Sequence, residues 1–249
     1  MSHGGKGYPM LRTLFTYGLC IAVLQLLIAC GAATEETTPT DQRGAVESEA
    51  DAVKIAEADL LVVAFGDSLY AGYGLDQNEG FAPELEKALQ AEGKDVRVHN
   101  AGVSGDTTAA GLRRIDFVLD SLPKKPDLFI LGLGANDVLR GLKPSETRAN
   151  MEAMVKKLKD REIPVMLTGM LAPPNLGKEF SDEFNIVFPA MAQKYDAALY
   201  PFFMDGLVGK ADLLLDDGLH PSAAGIDLIV ERITPTVLSA LPEGEPADG

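Results

Sequence analysis

The sequence predicts an α/β fold: a three-layer α/β/α sandwich around a mostly five-stranded parallel sheet. Two observations carry that expectation. Short, nearly continuous apolar runs alternate strictly with longer stretches whose apolar residues recur every three or four positions. A run that is apolar at every residue suits a strand buried on both faces, and alternation with helices implies parallel strands joined by crossovers.

The elements follow in order. Residues 60–65 form the first apolar run, closed by Gly66. Phe81, Leu85 and Leu89 then mark a helix that ends near Gly93. Val96 and Val98 alternate in a second strand that stops at His99 and Asn100. Leu112, Ile115, Val118, Leu119 and Leu122 form the next helical stripe, terminated by Pro123. Residues 128–133 read as a third strand, followed by a helix carrying Met151, Met154, Val155 and Leu158 that Ser145 could cap. Residues 165–168 are expected to form the fourth strand, 182–195 one helix, and 198–202 the fifth strand. Ile226, Ile229, Val230, Ile233 and Val237 make the closing helix, where Pro235 invites a kink. One domain over residues 60–241, about 180 residues, accounts for all of them.

What precedes this domain reads differently. Lys6 and Arg12 lead into an apolar run that ends Leu27-Ile28-Ala29-Cys30-Gly31. That length suits a signal-peptide core and is short for a membrane span. The ending resembles the lipobox of bacterial lipoproteins, which implies cleavage after residue 29 and lipidation of Cys30. A plain signal anchor is the bland alternative. Residues 30–59 carry Glu35, Glu36, Asp41, Glu47, Glu49, Asp51, Glu57 and Asp59 against only Arg43 and Lys54, without apolar periodicity. They read as a solvated tether, with a short helix over 53–58 compatible with it. Residues 242–249 read as a flexible acidic tail. The lipoprotein pattern implies a membrane partner and a place in the bacterial cell envelope.

The chain of 249 residues has 37 acidic and 22 basic side chains, net −15. Loss of the leader would leave 20 basic residues against the same 37 acidic ones. Such a balance argues against nucleic acid as a partner, because phosphate binding needs a surplus of Lys and Arg. Two Cys cannot build a zinc cluster or a disulfide scaffold, and with no H-E-x-x-H no metal is expected. Gly132-Leu133-Gly134-Ala135-Asn136-Asp137 lacks the third Gly of a dinucleotide loop, so no cofactor is expected either.

In such a sheet, ligands bind beyond the carboxyl ends of the strands, so the residues after each apolar run are informative. After the first comes Gly66-Asp67-Ser68-Leu69, which would put the Ser68 hydroxyl at a helix start above the sheet. An ordinary N-cap serine is the alternative. After the second comes Ser104-Gly105-Asp106-Thr107, where Gly105 could point an N–H at a ligand or simply form a turn. After the third, Asn136 offers a side-chain NH2 where negative charge could develop, or is a turn-forming Asn. Before the last helix stands Asp216-Asp217-Gly218-Leu219-His220-Pro221. Its spacing lets Asp217 reach Nδ1 of His220 while Nε2 faces a nucleophile, or makes a local capping pair. His99, at a strand end, reads as a structural or rim residue, and His3 belongs to the leader.

All four blocks, in this order and each after a strand, resemble the SGNH (GDSL-type) hydrolase family. The likeness runs from about Leu61 to Leu241. It is nearest to the thioesterase I/lysophospholipase L1/arylesterase branch, whose wording Ser104-Gly105-Asp106-Thr107, Pro201-Phe202-Phe203-Met204 and Asp216-Asp217-Gly218-Leu219-His220-Pro221 resemble. The family implies a flavodoxin-like sheet and a Ser68–His220–Asp217 triad. It also implies an oxyanion hole from Ser68, Gly105 and Asn136. The expected reaction is hydrolysis of an aryl or acyl ester, lysophospholipid or acyl thioester through an acyl-enzyme. The absence of a second Gly in Gly66-Asp67-Ser68-Leu69-Tyr70 separates the chain from the α/β-hydrolase elbow. Leu139, Pro173 and Pro174, in the segments after Asn136 and after the fourth strand, are expected to line the acyl channel; connecting loops are the alternative. Two rival readings stand beside this one: a carbohydrate-ester deacetylase on the same fold, and a lipoprotein that binds a ligand without catalysis. The sequence is silent on oligomeric state.

Overall fold

The computed structural model describes residues 52–242 as a continuous stretch. The expected leader, Cys30, most of the tether and all but the first residue of the tail lie outside the described residues. The part of the tether that is described is helical over residues 52–57, with Ile55 and Ala58 buried. Lys124 Nζ donates to the carbonyls of Ala58 and Asp59, at 2.6 and 2.8 Å, fastening this entry segment beside the first strand.

The sheet has five parallel strands: β1 (Leu60–Gly66), β2 (Val96–Gly102), β3 (Leu128–Gly132), β4 (Val165–Thr168) and β5 (Ala198–Tyr200). Their spatial order is β2-β1-β3-β4-β5, with every neighbouring pair parallel. The order reverses between β1 and β3, and that reversal opens a crevice above their carboxyl ends. Helices cover both faces. On one side α2 (Phe81–Ala91) and α8 (Ala223–Ala240) pack on Val62, Ala64, Leu128 and Ile130. On the other α3 (Thr108–Ser121), α5 (Pro144–Asp160) and α7 (Val187–Tyr195) pack on Val63, Phe65, Phe129 and Leu131. Successive residues of β1 and β3 thus feed opposite cores, which is why their runs are apolar at every position. Three further short helices lie at the strand ends and in the loops of the described residues: α1 (Ser68–Ala71), α4 (Ala135–Leu139) and α6 (Lys178–Asn185).

Two local expectations change. The single helix expected over residues 182–195 is two, α6 and α7, meeting at Ile186. Pro189 favours the break: it has no N–H to give the carbonyl of Asn185 and is best tolerated in a first turn, where α7 places it. The Asn185 side chain accepts from the N–H of Ala172 at 2.8 Å, tying down the segment after β4. Ser145 does not cap α5, because Pro144 already occupies its first position and Lys143 is the cap. Pro235 lies inside α8, which runs through it unbroken to Ala240.

Glycines end four of the five strands or directly follow them: Gly66, Gly102, Gly132 and Gly169. Gly66 pairs in register with both Gly102 and Gly132, so three sit side by side on the rim of the sheet. A Cβ on Gly66 would stand 2.2 Å from Tyr70 Cδ2, and one on Gly132 2.1 Å from its hydroxyl oxygen. On Gly102 it would lie 2.3 Å from the backbone N of Ala71. The bare rim therefore seats α1 directly on the strand ends. Gly66 serves by leaving space, and its φ is not in the left-handed region. Tyr70 fills that space, its hydroxyl 2.5 Å from Thr168 Oγ1 and its ring stacked on Phe203 at 4.9 Å.

Candidate active site

Asp67 caps α1, with Oδ1 accepting from the N–H of Leu69 at 3.1 Å. Ser68 is therefore the first residue inside the helix and not the cap, and its hydroxyl is free for another partner. That partner is His220: Nε2 lies 2.9 Å from Ser68 Oγ. Nδ1 of the same ring lies 2.6 Å from Asp217 Oδ2. The other carboxylate oxygen of Asp217 accepts from the N–H of Leu219 at 2.9 Å and of His220 at 3.0 Å. Those backbone bonds, the His220 N–H foremost, hold the Asp217 carboxyl down at about 2, below the usual range.

The loop that carries this pair is a tight return. Leu214 and Pro221 form an antiparallel bridge, Leu215 N–H donates to the His220 carbonyl at 2.8 Å, and Gly218 turns the chain at φ +68. Ser222 caps α8 by accepting from Gly225 N–H at 3.3 Å. Asp217 and His220 are thus not the capping pair of that helix.

Asn136 sits in the first turn of α4, and its Nδ2 donates to Asp67 Oδ2 at 3.3 Å. One hydrogen of that amide is held by Asp67, which leaves the other for a ligand. Asp67 is 1% exposed, and burial drives its carboxyl up to about 6. Hydrogen bonds from Leu69 and Asn136 oppose the shift but do not cancel it.

Gly105 turns the second loop at φ +84, a conformation in which a side chain would be strained. Its carbonyl accepts from Arg140 Nη2 at 2.7 Å, so α4 and this loop are tied together at the rim. Arg114 holds the same loop from below. Its Nε donates to Asp106 at 2.6 Å and its Nη2 to the Gly66 carbonyl at 2.9 Å, with the guanidinium 3.8 Å from the centroid of Phe65. Ser68, Gly105 and Asn136 all line one cavity of about 590 Å³ together with His220. The volume is that of a small-molecule site.

Sequence reasoning missed several residues. Asp137, beside Asn136, is buried and accepts from Thr108 N–H at 2.8 Å, from Thr108 Oγ1 at 2.5 Å and from Thr147 Oγ1 at 3.1 Å. It locks α4 to α3 and α5 and so fixes where Asn136 points. Its position five residues beyond the end of a buried strand is the signal the sequence offers. Tyr73, Met204, Leu207 and Leu214 also line the cavity, on a side that the sequence did not suggest. Leu139 and Pro173 are in the wall as expected, whereas Pro174 is not among the lining residues. It opens a 3-10 turn, Pro174–Leu176, and is exposed. His99 lies in β2 and does not line the cavity. Among the described residues, no group of three or more His, Cys, Asp or Glu side chains is placed to hold a metal ion.

The geometry has relatives. The family model for the GDSL-like lipase/acylhydrolase family matches residues 64–228. The crystal structure of AlinE4, an SGNH-hydrolase family esterase, superposes with a TM-score of 0.63 at 50% identity, covering 74% of this chain and 97% of that one. Esterase TesA of Pseudomonas aeruginosa is 40% identical over 178 residues, 72% of this chain and 87% of its own length. The esterase EstA of a Pseudoalteromonas species, solved inhibited by monoethylphosphonate, superposes with a TM-score of 0.68 at 34% identity, covering 73% and 98%. With the family model matching most of the domain and esterases of this fold covered nearly end to end, the chain belongs to the GDSL-like lipase/acylhydrolase family and is a serine esterase on the SGNH-hydrolase fold.

Proposed function

We propose that Ser68 is the nucleophile of this esterase, His220 its general base and acid, and Asp217 the residue that orients the imidazole. One observation carries the reading: Ser68 Oγ, His220 Nε2, His220 Nδ1 and Asp217 Oδ2 stand in a single hydrogen-bonded series of 2.9 and 2.6 Å. Ser68 attacks the ester carbonyl as its proton passes to Nε2. The N–H groups of Ser68 and Gly105 and the Asn136 amide receive the oxyanion. Collapse expels the alcohol, which takes the proton from Nε2, and water then releases the acid by the same steps.

The cavity favours an apolar, uncharged ester. Its lining includes Leu69, Val138, Leu139, Met170 and Leu171, and among the described residues that line it His220 is the one basic side chain. A lysophospholipid fits only with its phosphate held outside at the mouth. The relative's inhibition by monoethylphosphonate supports a serine that forms a covalent adduct. The test uses purified full-length protein, a fluorophosphonate probe and a chain-length series of aryl and alkyl esters alongside lysophospholipids and acetylated sugars. Ser68→Ala should abolish both labelling and turnover. Wild-type turnover in Ser68→Ala defeats the assignment, and a preference for acetylated sugars favours the deacetylase reading.

The lipobox-like ending at Cys30 supports a lipid-anchored enzyme of the cell envelope, reaching its substrates from a membrane surface. Stable anchoring needs more than one acyl chain, which the lipoprotein pattern implies. Cys30→Ala should move the protein from the membrane pellet to the soluble fraction; no movement rules out the anchor.

A further inference from the structure

The imidazole of His220 is held at both nitrogens, but neither bond restrains the face of the ring. The Asp217 side chain is 36% exposed and that of His220 18% exposed. Water therefore screens the attraction between the carboxylate and an imidazolium, and two edge bonds alone leave the ring free to rock about the line joining them. The face is covered by Tyr73. Its ring centroid lies 4.3 Å from that of His220, with the planes inclined by 33°.

Tyr73 is placed there by the chain just beyond the nucleophile. Gly72 ends α1 in the left-handed region at φ +77, and Tyr73 N–H donates to the Ser68 carbonyl at 3.2 Å. Gly74, at φ +74, lies against Leu215, whose Cδ1 would be 2.6 Å from a Cβ at that position. The segment is thus pinned between the serine turn and the loop that carries Asp217 and His220. Tyr73 is nevertheless 51% exposed, so burial in the core does not account for a large aromatic residue at this position.

Resting on the triad proposed above, we infer that Tyr73 is a positioning residue for the reaction. Its ring holds the His220 imidazole in the plane of the Ser68–Asp217 relay. Its π-face stabilises the imidazolium, which exists only between proton uptake from Ser68 and proton delivery to the leaving oxygen. Because Nε2 must reach that oxygen, the leaving group lies on the His220 side, where Tyr73, Leu214 and Leu219 form an apolar wall.

The test compares Tyr73→Phe and Tyr73→Leu in the full chain. Substrates are a p-nitrophenyl ester and an alkyl ester of the same acid. Tyr73→Phe keeps the aromatic face and should retain kcat within about twofold on both. Tyr73→Leu should lower kcat by roughly five- to thirtyfold, the range expected for loss of one cation–π contact. KM should change less than about threefold, and the loss should be greater for the alkyl ester, whose poor leaving group depends on the proton. An unchanged kcat in Tyr73→Leu, an equal loss in Tyr73→Phe, or an effect confined to KM each overturns the inference. Fluorophosphonate labelling of wild-type Ser68 separates the two levels. If wild type is not labelled, the triad reading fails and this inference with it. If wild type is labelled and Tyr73→Leu turns over normally, only the role of Tyr73 falls.

Discussion

The two halves of the site are built on opposite principles. Ser68, Asp67 and Asn136 stand on the rim of the sheet, where α1 and α4 are locked by buried contacts. Asp217 and His220 stand on an exposed return ordered by its own backbone hydrogen bonds. The carboxyls report the difference. Burial raises Asp67 to about 6, while backbone N–H groups lower Asp217 to about 2. The buried half sits at a fixed place because the core would have to move to shift it. The exposed half keeps its geometry through short-range bonds within a few residues, with the Tyr73 ring lying against His220. On the proposed mechanism, the nucleophile is placed by packing and the proton relay by local chemistry.

The sharpest way to break the comparison is to damage the exposed half and ask whether the fold notices. In Asp217→Asn the side-chain oxygen can still accept from Leu219 and His220, so the loop should persist. The new NH2 instead faces Nδ1 and favours the tautomer that carries its proton on Nε2, aimed at Ser68. The expected loss in kcat is about 10³- to 10⁴-fold, with thermal unfolding close to that of wild type. Turnover within tenfold of wild type would remove Asp217 from the relay. A collapse of the unfolding transition would show that the loop is no independent unit.

The same division governs what the sequence could reveal. Apolar runs at 60–65 and 128–133 announce strands because burial on both faces leaves no other composition. The four polar blocks announce themselves by following those strands. A contact between distant segments leaves no such trace. Asp137 reads as an ordinary helix-start carboxylate until Thr108 and Thr147 are seen to converge on it. Tyr73 looks like a loop residue until the 213–222 return brings His220 beneath it. The break at Ile186 has a local signal in Pro189, whose missing N–H weakens a continuous helix, but Pro235 sits inside an unbroken one, so a proline alone does not decide. Met204, Leu207 and Leu214 in the cavity depend on how the chain after β5 folds back over the sheet, which no local pattern encodes.

The buried half can be tested through its own titration. An Asp with a folded pKa near 6 and an unfolded one near 3.8 holds its proton more tightly in the native state. As pH rises from about 4 to about 6, the unfolded chain ionises first, so this residue's contribution to stability falls across that window and is level above it. The full difference corresponds to roughly 3 kcal/mol, an order-of-magnitude figure because the group is deeply buried. Asp67→Asn removes the titration. Its side-chain oxygen can still cap α1 through Leu69, but its NH2 meets the Asn136 amide donor to donor. Denaturant unfolding from pH 4 to pH 8 should therefore fall more gently in the variant, with a net gain at pH 8 smaller than the full difference because the bond to Asn136 is lost. On the proposed mechanism, turnover should drop by less than in Asp217→Asn, since the N–H groups of Ser68 and Gly105 stay in place while the Asn136 amide loses its tether. Parallel pH slopes for wild type and variant would show that Asp67 ionises in the folded enzyme as easily as in water. The buried half would then differ from the exposed one in packing alone and not in electrostatics.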